Sequence, residues 1–178
     1  MSEFSATTVL MVRRHGKTCV VSDGQVTFND TVIKTSASKV KRAGKGQVLI
    51  GFAGGAADGL ALFSRLEEKL DEFHGNLERA VVELAKDWRT DRVLRQLQAH
   101  MIVTDSDSSF LVSGNGDLMQ SDEDGLMAIG SGSNYALAAA RALLEHTELS
   151  AIEIAKEAMR IASNICIYTN DQLTIEEL

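Results

Sequence analysis

Ala6-Thr7-Thr8-Val9 opens a run that continues through Leu10, Met11 and Val12 to Arg13-Arg14. It reads as a short leader, residues 1–6, followed by a threonine at the head of a β-strand. Threonine and valine are strand formers, so an ordinary strand is the plain reading of these residues alone. A second reading is chemical. Cutting between Ala6 and Thr7 would leave one residue with a free α-amine and a γ-hydroxyl, a general base and a nucleophile together.

Working outward, strand signals fill the first third of the chain. His15-Gly16 is a turn into Thr18-Cys19-Val20-Val21, and Asp23-Gly24 is another before Val26-Thr27-Phe28. Gln47 to Ala53 is β-rich again. After Gly54-Gly55 the period changes. Leu60, Phe63, Leu66, Leu70 and Phe73 recur every three or four residues, as on an amphipathic helix. Asn76 caps a second stripe, Leu77, Val81, Leu84 and Trp88, expected to run on through Leu94 and Leu97.

Strands return at Met101 to Val103 and Phe110 to Val112, then a Gly114-Asn115-Gly116-Asp117 turn and the apolar Leu126 to Ile129. An alanine-rich helix from Tyr135 to Glu145 follows. A last helix runs from Ser150, with Glu153 at capping-box spacing, to about Ile165. Consecutive strands joined by turns favour antiparallel sheets over βαβ units. The expectation is one α+β domain over residues 7–178, two antiparallel sheets with helix pairs packed outside.

Composition narrows the function. The 178 residues carry a formal charge of −7 with basic and acidic residues interspersed, which argues against a nucleic-acid footprint. Cys19 and Cys166 form no CxxC pair, and four scattered histidines include no HExxH, so zinc has little support. No apolar run reaches membrane-spanning length, and the leader has neither a charged n-region nor an apolar h-region. A cytoplasmic location is expected. Proline is absent where average usage would give about nine, so Gly, Asn, Asp and Ser must make the turns.

Longer blocks carry a resemblance. Thr7-Thr8-Val9 with VRR at 12–14, SDGQVT at 22–27, KV at 39–40, GFAGG at 51–55, VELAKDWRTDR at 82–92, GNGD at 114–117, AIGSG at 128–132, AAARALLEHTELSA at 138–151 and ICIYTN at 165–170 closely resemble the HslV (ClpQ) family of proteasome-like peptidase subunits. The match extends over essentially the whole chain beyond the leader. The resemblance implies the N-terminal-nucleophile hydrolase sandwich. It also implies a homododecamer of two hexameric rings, unfolded proteins as substrates, and an AAA+ partner, HslU (ClpY). ATP would be used by that partner, since this chain has no P-loop.

Residue by residue, the resemblance makes Thr7 the nucleophile, Lys39 the lysine beside it, Asp23 the acid holding that lysine, Gly51 the oxyanion-hole glycine and Ser131 a serine supporting proton movement. Ser163, Cys166 and Thr169 fall where relatives offer backbone carbonyls to a monovalent cation such as Na+. A glycine is common at the position of Ser163, and a positive φ there would make the serine a misfit. Each residue also has a plainer role. Lys39 sits in a charged cluster, Asp23 and Gly51 at strand ends, and Ser131 where a helix cap could fall.

Other readings stay open on sequence alone. Removal of Met1 would expose Ser2 as a different N-terminal hydroxyl. The chain could be a non-catalytic ring subunit whose leader is never removed. Gly130-Ser131-Gly132-Ser133, between a strand and a helix, could present amides to a phosphate or nucleotide.

Overall fold

The computed structural model describes residues 4–5, 7–97, 99–114 and 116–178. The strands are β1 (Phe4–Ser5), β2 (Thr8–Arg14), β3 (Lys17–Ser22), β4 (Val26–Phe28), β5 (Thr31–Lys34), β6 (Val40–Ala43), β7 (Val48–Gly54), β8 (Ala99–Thr104), β9 (Ser109–Val112), β10 (Leu118–Gln120), β11 (Leu126–Gly130) and β12 (Thr174–Glu177). The helices are α1 (Ala56–Glu72), α2 (Leu77–Thr90), α3 (Ser133–His146) and α4 (Ala151–Ser163).

Two antiparallel sheets form the middle of the sandwich, ordered β11-β2-β3-β12 and β10-β9-β8-β7-β6. Strand alternation builds three layers of core from them. Val9, Met11 and Val20 face inward and meet Val40, Leu49 and Ile102 between the sheets. Leu10, Val12, Cys19 and Val21 face the other way, onto Ala136, Ala140, Ile154 and Ala158 of α3 and α4. Ile50, Met101 and Val103 pack on Leu62, Leu66, Leu84 and Trp88 of α1 and α2. This is the expected arrangement of sheets between helix layers. A small ribbon, β1-β4-β5, stands apart from both sheets.

Local signals account for most element ends. His15 (φ 52°) and Gly16 (φ 73°) make the left-handed pair that joins β2 to β3. The Asn76 side chain accepts from the Arg79 amide, and Ser150 with Glu153 forms a complete capping box. The α2 stripe ends sooner than its period suggests. The Asp91 carboxylate takes the Val93 and Leu94 amides at 2.7 and 3.1 Å, so the chain turns at Thr90 and Leu94 begins a single 3-10 turn. Five described strands that periodicity did not mark, β1, β5, β6, β10 and β12, are only two to four residues long.

Candidate active site

β2 lies between β11 and β3, so its N-terminal end is held from both sides. The Thr7 carbonyl accepts the Ser131 amide at 2.7 Å. Thr8 donates its amide to Asp23 Oδ1 at 2.7 Å and its carbonyl accepts the Asp23 amide at 3.1 Å. The Thr8 hydroxyl bonds Thr169 Oγ1 at 2.7 Å and accepts the Gly132 amide at 2.9 Å. Thr8 is therefore fully buried and fully used, while Thr7, one residue earlier, keeps 7% exposure at the rim. Gly130 makes this approach possible. It has φ 95°, and a Cβ there would lie 1.9 Å from the Thr7 carbonyl oxygen.

Asp23 is completely buried. Besides the Thr8 amide, it accepts Lys39 Nζ on Oδ1 at 2.9 Å and the Gln25 amide on Oδ2 at 3.0 Å, with the Asn170 amide 3.5 Å from Oδ2. Lys39 Nζ donates also to the Gln25 carbonyl at 2.6 Å, and its side chain is 10% exposed. Burial holds the lysine's pKa below its ordinary value, and the Asp23 carboxylate opposes that shift. The pair is thus a cation fixed by its partner beside a carboxylate that also grips the residue after Thr7. Sequence separation of 16 residues gave no sign of this contact.

Gly51 is placed otherwise than its expected oxyanion role requires. Successive amides of a strand point to opposite edges. Phe52 donates its amide to the Lys39 carbonyl at 3.0 Å, so the Gly51 amide points to the other edge, into the ladder with Ile102. Gly51 has a packing reason instead: a Cβ would come within 2.4 Å of Val9 Cγ1 on the facing sheet. The next amide on the Phe52 edge belongs to Gly54, beyond the end of β6, where the backbone turns through φ 126°. Gly54 is solvent-exposed while Gly51 is buried.

Ser131 is brought beside Thr7 through its amide, and its side chain is exposed. It does not cap α3, whose N-cap is Gly132. The same contacts dispose of the phosphate reading. The Ser131 and Gly132 amides are spent on Thr7 and Thr8, and β11 runs antiparallel to β2 rather than in a βαβ unit.

The loop after α4 closes the other side of the site. Thr169 meets Thr8, Gln25 Nε2 donates to the Ile167 carbonyl at 2.9 Å, and Asn170 Oδ1 accepts the Gly24 amide at 3.0 Å. Asn170 Nδ2 donates to the Thr35 carbonyl at 2.9 Å, tying both roots of the β4–β5 ribbon to this loop. Ser163 ends α4 and is not among the positive-φ residues, so the serine is no misfit there. The Cys166 carbonyl accepts the Thr169 amide at 3.1 Å. Thr8, Gly130, Gln25 and Asn170 went unnoticed as site residues, although the paired threonines and the Asn ending ICIYTN lay in view. Ser2 and Ala6 fall outside the described residues, as does Asn115. Among the described residues no group of three or more His, Cys, Asp or Glu could hold a metal, and no helix is long and apolar enough to cross a membrane.

A buried lysine–aspartate pair at the head of a central strand, in a sandwich of two antiparallel sheets between helix pairs, defines a class. The chain belongs to the proteasome family, whose subunit model matches residues 3–178. Within it the chain is of the HslV type. It is 57% identical over 176 residues to the ATP-dependent protease subunit HslV of Pseudothermotoga lettingae, covering 99% of each chain. The HslV of Thermosipho africanus matches at the same identity and coverage. The crystal structure of the Trypanosoma brucei HslV superposes with TM-score 0.92 at 44% identity, over 96% of this chain and 98% of that one. A Thiobacillus denitrificans BPH structure shares the fold at TM-score 0.72 and 18% identity, with 96% and 97% covered.

Proposed function

We propose that this chain is the peptidase subunit of an ATP-dependent protease and that Thr7, freed at its amine, is the nucleophile. The observation that carries the assignment is the buried Lys39–Asp23 pair, whose aspartate also holds the amide of the residue after Thr7. In this mechanism the α-amine of Thr7 is the base. Its ordinary pKa of about 7.7–8.0 leaves it substantially neutral near physiological pH, and a neighbouring ammonium favours that neutral form. The amine takes the hydroxyl proton as Oγ attacks the scissile carbonyl. Collapse of the tetrahedral intermediate releases the amine product, leaving an ester on Thr7 that water then hydrolyses.

The developing oxyanion needs an amide on the open edge of β7, and the strand alternation favours Gly54 over Gly51. One such donor contributes about 3–4 kcal/mol to the transition state. Ser131 is suited to passing protons at the exposed rim beside Thr7. A monovalent cation such as Na+ would suit carbonyls of Ser163, Cys166 and Thr169. The first ends a helix, where unpaired carbonyls carry partial negative charge. Bound there, a cation would hold the 166–170 loop against Thr8 and Asp23.

The finer partners follow the relatives' character. A homododecamer of two hexameric rings would enclose the sites, and HslU (ClpY) would unfold and feed substrates in the cytoplasm. The decisive experiment is intact mass and N-terminal sequencing of the assembled protein, with peptidase assays of Thr7→Ala and Ser2→Ala. A chain beginning at Thr7, inactive as Thr7→Ala and active as Ser2→Ala, is expected. Full activity of Thr7→Ala would overturn the assignment, and a full-length inert chain would make it a non-catalytic ring subunit.

A further inference from the structure

Lys39 is held by two acceptors that lie on one short stretch of chain. The Asp23 carboxylate and the Gln25 carbonyl receive Nζ at 2.9 and 2.6 Å, and Gly24 stands between them. Wherever this stretch sits, the ammonium goes with it. Gly24 has no side chain to fix the stretch and no room for one. A Cβ there would lie 2.3 Å from the Thr35 carbonyl oxygen and 2.9 Å from Ser36 Cα. What fixes it arrives from the far end of the sequence.

Asn170 spans this close approach with a single amide group. Its Oδ1 accepts the Gly24 amide at 3.0 Å and the Gln172 amide at 3.2 Å, and its Nδ2 donates to the Thr35 carbonyl at 2.9 Å. Two donors on one side and an acceptor on the other settle which way the amide is turned. The backbone amide of Asn170 faces Asp23 Oδ2 at 3.5 Å. Gln25 ties the same stretch to the same loop. Its buried side chain donates Nε2 to the Ile167 carbonyl and to Thr27 Oγ1, at 2.9 and 3.0 Å. The loop is rooted in turn, by Thr169 on the Thr8 hydroxyl and by the Cys166 amide on the Ala162 carbonyl of α4 at 2.8 Å. One loop thus holds both the residue after Thr7 and the acceptors of Lys39.

We propose that Asn170, together with Gln25, is a positioning residue for the peptidase reaction: the two side-chain amides hold residues 23–25 in register with Thr8 and so set where the Lys39 ammonium stands relative to Thr7. The inference rests on the reading of Thr7 as nucleophile with Lys39 beside it. Neither amide is assigned a contact with the reacting atoms; both act through the backbone of residues 23–25. Both are uncharged, so they fix geometry without disturbing the charge balance of the buried pair. Side chains locked in this way by their own hydrogen bonds are what keeps a reacting constellation within a fraction of an ångström of its productive geometry.

Steady-state cleavage of a short peptide amide by the assembled protein tests this. Asn170→Ala should lower kcat by about 10- to 100-fold, the loss that follows a displacement on the order of 1 Å. KM should stay within about twofold, because a contribution made only in the transition state lowers kcat and kcat/KM together. Gln25→Met keeps the side chain's length and removes its donor. It should show the same signature more weakly, and it carries the test if Asn170→Ala fails to fold. Asn76→Ala, which removes the α2 cap, should melt lower and keep the parental kcat below its melting range. Parental kcat in both amide variants, or a loss confined to KM, would overturn the proposal. So would an equal kcat loss in Asn76→Ala at equal loss of Tm, since destabilisation alone would then explain it. Thr7→Ala separates the two levels. If it is inert while both amide variants run at the parental rate, the positioning role alone falls. If it keeps full activity, the nucleophile assignment falls and the positioning role with it.

Discussion

Asp23→Asn should be the most informative single substitution. The carboxylate receives the Thr8 amide and Lys39 Nζ on one oxygen and the Gln25 amide on the other, all within 3.0 Å and wholly buried. An asparagine keeps the shape but has one acceptor oxygen. Whichever way its amide is turned, an NH2 group faces at least one donor, and Lys39 loses its counter-charge. Breaking a buried pair by removing one charge typically costs about 3–5 kcal/mol. For a chain of 178 residues each kcal/mol lowers Tm by about 2–4 °C, so a fall of roughly 10 °C is expected in calorimetry. Asp23 is also what offsets the burial-lowered pKa of Lys39, so the lysine should titrate lower still in the variant. Peptidase activity at pH 7 should drop by about 100-fold or more, consistent with displaced catalytic groups. A variant melting within about 1 °C of the parent with intact activity would refute the idea that Asp23 organises the site.

Gly51→Ala should destabilise through contact with Val9, by about 1–3 kcal/mol. Adding Val9→Ala should restore part of that loss in a double-mutant cycle. Additive costs would show that the inter-sheet approach is not what selects glycine there. The alkaline limb of the peptidase pH profile should fall below the range of an ordinary lysine, and Lys39→Met should abolish activity. Linkage gives the stability counterpart. Because the folded pKa of Lys39 is depressed, the unfolded chain binds the extra proton between that value and the ordinary one. Unfolding free energy should therefore rise with pH across that window, a slope that Lys39→Met removes. Cys19 behaves oppositely. Burial, with Glu177 opposite it, pushes the thiol from 9.0 up to about 12. Its contribution to stability is full below about pH 9 and lost as pH climbs toward 12. In a Cys166→Ser background, an alkylating reagent at pH 8 should label Cys19 only after denaturation, and rapid labelling of the folded chain would contradict its burial.

Sequence alone determined what depends on short-range rules. The helical period of α1, α3 and α4, the Asn76 cap, the Ser150–Glu153 box and the His15-Gly16 turn involve residues at most a few positions apart, where periodicity and capping act, although in α1 Leu62 rather than the expected Leu60, which is 55% exposed, enters the core. The same rules overran at α2. Leu94 and Leu97 continue its stripe, but the Asp91 side chain competes for the next amides and ends the helix. The late strand β12 escaped because four residues, Thr174–Glu177, carry little pattern. Their place is set by pairing with β3 across the length of the chain.

The site divides the same way. Thr7, Asp23 and Lys39 could be named from residue type and resemblance, but the meeting of Lys39 with Asp23, and of Asp23 with the residue after Thr7, is a product of strand junctions far apart in the chain. Which edge the Gly51 and Gly54 amides face was decided by tertiary structure alone. Both are glycines in one short motif, and which amide faces outward depends on the hydrogen bond from Phe52 to Lys39. A local pattern can say that a strand exists; only its pairing says which edge each amide serves.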